Sequence, residues 1–99
     1  MKPVTFHPDA EVELDDATQR YEGAVVGLGL DFQDEAARVL EMAQRLPDLG
    51  SPYARTNARI LRLRRFPYLV YYVNREHDIF VCAIAHNSRR PGYWTNRLP

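Results

Sequence analysis

Near its midpoint this chain changes the spacing of its apolar residues, and that change restricts the fold more than any other feature. Ala10, Leu14, Ala17, Tyr21, Ala24 and Leu28 recur at alternating steps of four and three, the spacing of one helix face. Phe32, Ala36, Val39, Leu40 and Ala43 repeat the pattern on a second helix that ends before Pro47. Beyond the midpoint the period becomes two. Leu61 and Leu63 alternate with Arg62 and Arg64, so one strand face turns into a core and the other carries guanidinium groups. A chain that is helical first and stranded second packs its helices against one side of a sheet.

The boundaries follow from local chemistry. Pro3 to Phe6 reads as a short first strand. Pro8-Asp9 suits the first turn of a helix, where proline lacks only an N–H that has no partner and an acid meets the positive helix end. Gly27 and Gly29 break that helix, and Pro47 to Thr56 forms a loop. Phe66-Pro67 marks a turn, Tyr68 to Val73 the next strand, and Asn74 to Asp78 a hairpin loop. The last strand, Ile79 to Ala85, is apolar on both faces and belongs in the sheet interior. Asp16 and Arg20, Asp34 and Arg38, and Glu41 and Arg45 stand four apart with the acid first, which suits solvent-side pairs on the helices. The expected fold is α+β: strand, helix, helix and three strands, with an antiparallel sheet carrying a two-helix hairpin on one face. Residues 1–99 form a single domain with one modest core.

The formal charge is zero, yet it is unevenly spread. Residues 1–50 carry four basic side chains and eleven acidic ones, a net of −7. Residues 51–99 carry nine arginines, no lysine, and only Glu76 and Asp78 as acids, a net of +7. Two arrangements satisfy this asymmetry: a basic face aimed at an anionic partner, or acidic helices pairing with basic strands inside one fold. Arginine's planar fork suits bidentate contacts to phosphate or carboxylate, which favours recognition.

Other function classes fall away. The lone Cys82 lies amid Phe80-Val81-Cys82-Ala83-Ile84, a core setting that excludes a disulfide framework. His7, His77 and His86 fall on separate elements without ligand spacing, so neither a metal nor another cofactor is expected. No apolar run reaches membrane-spanning length and no signal-peptide pattern opens the chain, so a cytoplasmic protein is expected.

Four stretches together resemble the RelE/ParE superfamily of toxins from bacterial type II toxin–antitoxin systems, many of them called plasmid stabilisation proteins. They are Val4 to Ala10, the two-helix hairpin, Arg62-Leu63-Arg64-Arg65-Phe66-Pro67-Tyr68-Leu69-Val70-Tyr71-Tyr72, and Ala85-His86-Asn87-Ser88-Arg89-Arg90-Pro91-Gly92-Tyr93-Trp94. The resemblance implies a growth-arresting toxin silenced by a cognate antitoxin and assembling into oligomers only with it. Some such toxins bind DNA gyrase, and others cut messenger RNA on the ribosome. Shared fold does not decide between them. RelE-type nucleases carry an arginine near the position of Tyr68 and a tyrosine near that of Trp94, departures that favour the ParE-like, target-binding side.

On that reading Arg59, Arg62, Arg64, Arg65, Arg89, Arg90 and Trp94 form the surface for target or antitoxin. On the nuclease alternative His86, Arg62, Arg64, Arg90 and Tyr93 form the catalytic set, histidine moving protons near neutrality and arginines neutralising phosphate charge. A degenerate module that only binds its antitoxin is the third reading. Each residue also has a structural role open to it. The arginines can pair with helix acids, His86 can be a hydrogen-bonded strand terminus, and Trp94 can cover the end of the core with its indole N–H partnered.

Overall fold

The computed structural model describes residues 1–99 and contains β1 (Val4–Phe6), α1 (Pro8–Ala24), α2 (Leu28–Arg45), β2 (Ser51–Pro52), β3 (Ala58–Arg62), β4 (Tyr68–Asn74) and β5 (Ile79–His86). A short 3-10 turn, Thr95–Arg97, follows near the carboxyl terminus. The expected order of strand, helix, helix and three strands is present, and β2 adds a two-residue edge inside the expected loop. The five strands lie in the order β1-β5-β4-β3-β2. The three hairpin-like pairings are antiparallel, but β1 runs parallel to β5, Val4 opposite Ile79 and Phe6 opposite Val81. The sheet is therefore mixed rather than wholly antiparallel. Two helices and three strands separate β1 from β5, ample chain for the crossover that a parallel pairing requires.

Local chemistry sets the helix ends. The His7 Nδ1 accepts a 3.0 Å hydrogen bond from the Asp9 N–H and caps α1, with Pro8 at the first helical position. Gly27, at φ +88°, supplies the left-handed turn into α2. Gly29 does not break a helix; it lies in the first turn of α2, where a Cβ would stand 2.7 Å from the Thr18 carbonyl oxygen. Its bare backbone lets the two helices approach. The Glu22 carboxylate accepts from the Gly27 and Gly29 N–H groups and so caps α2 from the end of α1.

The two faces of the sheet bury different material. Beneath the helices Ala10, Ala17, Phe32, Val39 and Leu40 meet Leu63, Phe66, Tyr68, Val70, Val81 and Ile84. Phe32 is the hub, its ring 5.2 Å from Phe66 and 5.0 Å from Tyr68 in edge-on geometry. On the opposite face Ala58, Tyr71, Val73, Cys82, Ala83 and Ala85 are covered by Trp94 and the carboxyl-terminal segment. The register shifts between Tyr71 and Tyr72: Tyr71 faces Ala83 and Tyr72 faces Val81, which leaves Cys82 without an opposite residue. This bulge turns Cys82 and Ala83 to the same side and lets Ile84 return to the helix side. Burial pushes the Cys82 thiol up to about 11, the behaviour of a core residue and not of a nucleophile.

Ile84→Ala, on β5 beneath the helices at 1% exposure, is expected to lower unfolding free energy by about 2–5 kcal/mol in denaturant titration. A loss well below that range would mean that the helix layer closes over the cavity. A second expectation concerns acid. Arg75 and Thr5 donate to Asp78 and lower its carboxyl from the ordinary 3.8 to about 2. A depressed folded-state value stabilises the fold above the unfolded value and ceases to do so as pH falls through the folded one. Asp78→Asn should therefore be less stable than wild type at neutral pH, and the gap should close between the two values. A gap of constant size down to the lower value would show that Asp78 acts without its charge.

Candidate macromolecule-binding face and adjoining cleft

The end of β3, the start of β4 and the end of β5 lie together, with Arg62 opposite Leu69 and Tyr68 opposite His86. The Asn87 N–H donates to the Pro67 carbonyl at 2.8 Å and ties the segment after β5 to the turn between β3 and β4. One end of the sheet therefore carries both arginine clusters, Arg62-Leu63-Arg64-Arg65 and Arg89-Arg90. Leu61 and Leu63 face the helices, as their spacing predicts. Arg62 lies on the other side of the strand, beside Leu69. The backbone N–H groups of Arg64 and Arg65 both donate to the Glu35 carboxylate, which holds this turn against α2. Burial tends to raise the Glu35 carboxyl, but those two donors and Arg38 outweigh it and leave the group below its usual range. Arg62, Arg64, Arg65 and Asn87 border a groove of about 340 Å³ that runs past Pro67.

The arginines divide into two kinds. Arg59 turns back into the fold, donating to the carbonyls of Asp48 and Gly50 at 3.1 and 2.8 Å. Arg65 stands 3.5 Å from Asp31. Arg75 pairs with Asp78 and Arg97 with Glu13. Arg62, Arg64, Arg89 and Arg90 are exposed and have no acidic partner. Arg89 lies over the Tyr93 ring at 3.9 Å, a stacking that fixes its direction. Two members of the expected surface are thus structural: Arg59 pins the loop before β2, and Trp94 is 0% exposed. The Trp94 ring lies 4.4 Å from Tyr71 and 5.2 Å from Tyr53, which removes it from any contact surface. It does cover the core as its sequence position suggests, but its indole Nε1 has no hydrogen-bond partner.

The nuclease set is only partly assembled. His86 closes β5 half-buried, its ring 5.2 Å from Tyr68 and nearly perpendicular to it. The Ser88 N–H donates to His86 Nδ1 at 3.0 Å, so the neutral ring carries its proton on Nε2. Tyr93, by contrast, donates its hydroxyl proton to Glu13 Oε2 at 2.5 Å. Burial, followed by this bond, pushes the Tyr93 phenol well above its ordinary value. A proton held so firmly is a poor acid near neutrality.

Three groups escaped the sequence reading. Glu13, on α1, accepts from Tyr93, from Arg97 at 2.9 and 3.2 Å, and from the Ile84 N–H at 3.1 Å. Its partners lie more than seventy positions away, so no spacing announces it. Arg20 does not pair with Asp16; it donates to the Tyr68 hydroxyl. Arg38 likewise turns to Glu35 at 3.4 Å rather than to Asp34, and only Glu41 and Arg45 form the expected pair, at 2.6 Å. Arg20, Tyr68, His86, Arg89, Asp16 and Glu13 line a second cleft of about 390 Å³ between α1 and the end of β5.

A two-helix hairpin on one face of a five-stranded mixed sheet, with exposed arginines at one sheet end, defines a small α+β protein. The sequence matches the family described as "ParE toxin of type II toxin-antitoxin system, parDE" over residues 4–91, and the chain belongs to that family. Among solved structures it is similar to a chain of the "Chromosomal ParDE TA system from P. aeruginosa", with a TM-score of 0.73 and 19% identity. That likeness covers 87% of this chain and 96% of the other, and at such identity it speaks for the fold. No curated protein matches the sequence. No helix is long and apolar enough to cross a membrane.

Glu13→Ala should strip Tyr93, Arg97 and the Ile84 N–H of their shared acceptor. A loss of about 1.5–3 kcal/mol is expected, with Tyr93→Phe losing less because one bond of four goes. Emission from Trp94, the only tryptophan, should shift to the red in Glu13→Ala as the carboxyl-terminal segment loosens. Unchanged stability and emission would show that packing alone holds that segment.

Proposed function

We propose that the protein arrests bacterial growth by docking on a macromolecular target through Arg62, Arg64, Arg89 and Arg90. DNA gyrase is the target that membership of the ParE family suggests. A cognate antitoxin supplies acidic or amphipathic chain that covers the same sheet end. One observation carries this reading. In a protein with as many acids as bases, four exposed arginines at one sheet end are left without an acidic partner while Arg59, Arg65, Arg75 and Arg97 each have one. Charges arranged in this way steer encounter with an anionic surface and fix orientation, and their shared sign disfavours basic partners.

The endoribonuclease alternative retains one supporting observation, the placement of His86 beside Arg20 and Tyr68 at the cleft. The firm hold of Glu13 on Tyr93 counts against it. Induction of the chain without its antitoxin, with pulse labelling of DNA and protein synthesis, separates the readings. Early arrest of DNA synthesis supports docking on gyrase, and a topoisomerase assay unaffected by saturating toxin removes gyrase as the target. Early arrest of translation with new 5′ ends on messages supports cleavage, and undisturbed growth supports a module that binds only antitoxin.

Arg64→Ala and Arg90→Ala should each weaken target binding and toxicity by roughly tenfold, the scale of one lost charged contact. Both residues are exposed, so stability should move by less than about 0.5 kcal/mol. Full toxicity in the double variant would overturn the basic-face proposal.

A further inference from the structure

The cleft between α1 and the end of β5 brings together donors from three separate parts of the chain, and of these it shares only Arg89 with the docking face just described. Arg20 comes from α1, His86 from the last position of β5, and Arg89 from the turn beyond. Each is held by a contact with a neighbouring side chain or backbone group of the protein itself. Arg20 is anchored on the hydroxyl of Tyr68, a residue only 4% exposed. His86 has Nδ1 tied to the Ser88 N–H and hydroxyl, at 3.0 and 2.8 Å, which leaves the Nε2–H as its free donor. Arg89 is laid over the Tyr93 ring. Donors fixed before a ligand arrives lose little freedom on binding it.

The charges of the lining favour an anion. Glu13 is one of two acids in the cleft, and its oxygens are already occupied by Tyr93, Arg97 and the Ile84 N–H. Asp16 is the other acid, is exposed and has no partner. Against it stand Arg20 and Arg89, neither of which is paired with an acid, so the open space is net positive. Guanidinium forks and an imidazole N–H are the donors that tetrahedral oxyanions accept best. The volume of about 390 Å³ falls at the small end of ligand pockets, large enough for a phosphate with its attached sugar.

We infer that this cleft is a phosphate-binding site, with Arg20, His86 and Arg89 as its donors and Tyr68 as the residue that positions Arg20. The phosphate is carried by a free nucleotide or by a strand of nucleic acid, two sources of one chemistry. The site does not rest on the docking reading: a toxin that never touches gyrase would still bind phosphate here, and a toxin that does so would still dock if this site failed.

The test is calorimetric titration of the full chain, at fixed ionic strength, with inorganic phosphate, adenosine 5′-monophosphate and a short single-stranded oligonucleotide. Arg20→Gln is expected to weaken binding by about tenfold or more, the scale of one charge-assisted contact. Arg55→Ala removes an equally exposed arginine outside the cleft and should leave binding unchanged. Asp16→Asn should strengthen binding, a direction that damage to the fold does not imitate. Response to phosphate and the mononucleotide identifies a free nucleotide as the source, and response to the oligonucleotide alone identifies a strand; both support the site. Absence of binding to all three probes, or equal losses in Arg20→Gln and Arg55→Ala, overturns it.

Discussion

The outer edge of β5 is the constraint on which the rest of this structure depends. β5 runs from Ile79 to His86, but β1, its neighbour on that side, pairs only as far as Val81. Beyond that point the strand would present unpaired backbone groups at the foot of the helices, and buried groups of that kind need partners. Two side chains supply them. Glu13 accepts from the Ile84 N–H, and Arg97 donates to the Cys82 carbonyl at 3.1 Å. Because Glu13 also binds Arg97 and Tyr93, this repair fastens α1, β5 and the carboxyl-terminal segment to one another. The segment then covers Tyr71 and Cys82 with Trp94, and Tyr93 presents its ring to Arg89. A short first strand thus determines, through one carboxylate, where a surface arginine points.

The same pairing explains why a protein of zero net charge keeps exposed arginines without acidic partners. Several acids of the first half are engaged by backbone N–H groups: Glu22 by Gly27 and Gly29, Glu35 by Arg64 and Arg65, Glu13 by Ile84. These carboxylates hold the fold together rather than neutralising the exposed guanidinium groups. Both arrangements suggested by the uneven charge are present at once. Arg97, Arg65 and Arg59 are absorbed by the acidic half, Arg75 pairs with Asp78 of its own half, and Arg62, Arg64, Arg89 and Arg90 are left over together with Arg55.

What was legible in the sequence is what repeats locally. The buried face of α2 contains Phe32, Ala36, Val39, Leu40 and Ala43, as their spacing implies. Tyr68 and Tyr72 lie on the helix side of β4 and Tyr71 on the other, as alternation requires. The direction of β1 was not legible, because three residues carry no sign of which neighbour they meet or in what sense. Nor was β2, whose two residues, Ser51 and Pro52, have no period at all. Acid–base spacing on a helix states only that a pair is within reach. Arg20 had Asp16 within reach and took the Tyr68 hydroxyl, and Arg38 passed over Asp34 for Glu35, because tertiary neighbours offered better-placed oxygens. Burial was legible for Trp94, whereas the lack of an indole partner depends on the exact placement of its neighbours.

Four like charges at one sheet end also carry a thermodynamic consequence. Arg62, Arg64, Arg89 and Arg90 repel one another more in the folded chain than in the unfolded one, because the register of β3, β4 and β5 brings them together. The fold tolerates this because the hydrophobic layers on both sheet faces lie elsewhere, in Phe32 and Ile84 beneath the helices and Trp94 opposite. A partner that brings carboxylates to that end relieves the repulsion and binds the folded chain alone, so its binding energy adds directly to the stability of the fold. On the proposed reading antitoxin and target compete for this same relief. The stability gained from the antitoxin and the silencing of the toxin are then one free energy seen from two sides, and an arginine that weakens one when removed weakens the other.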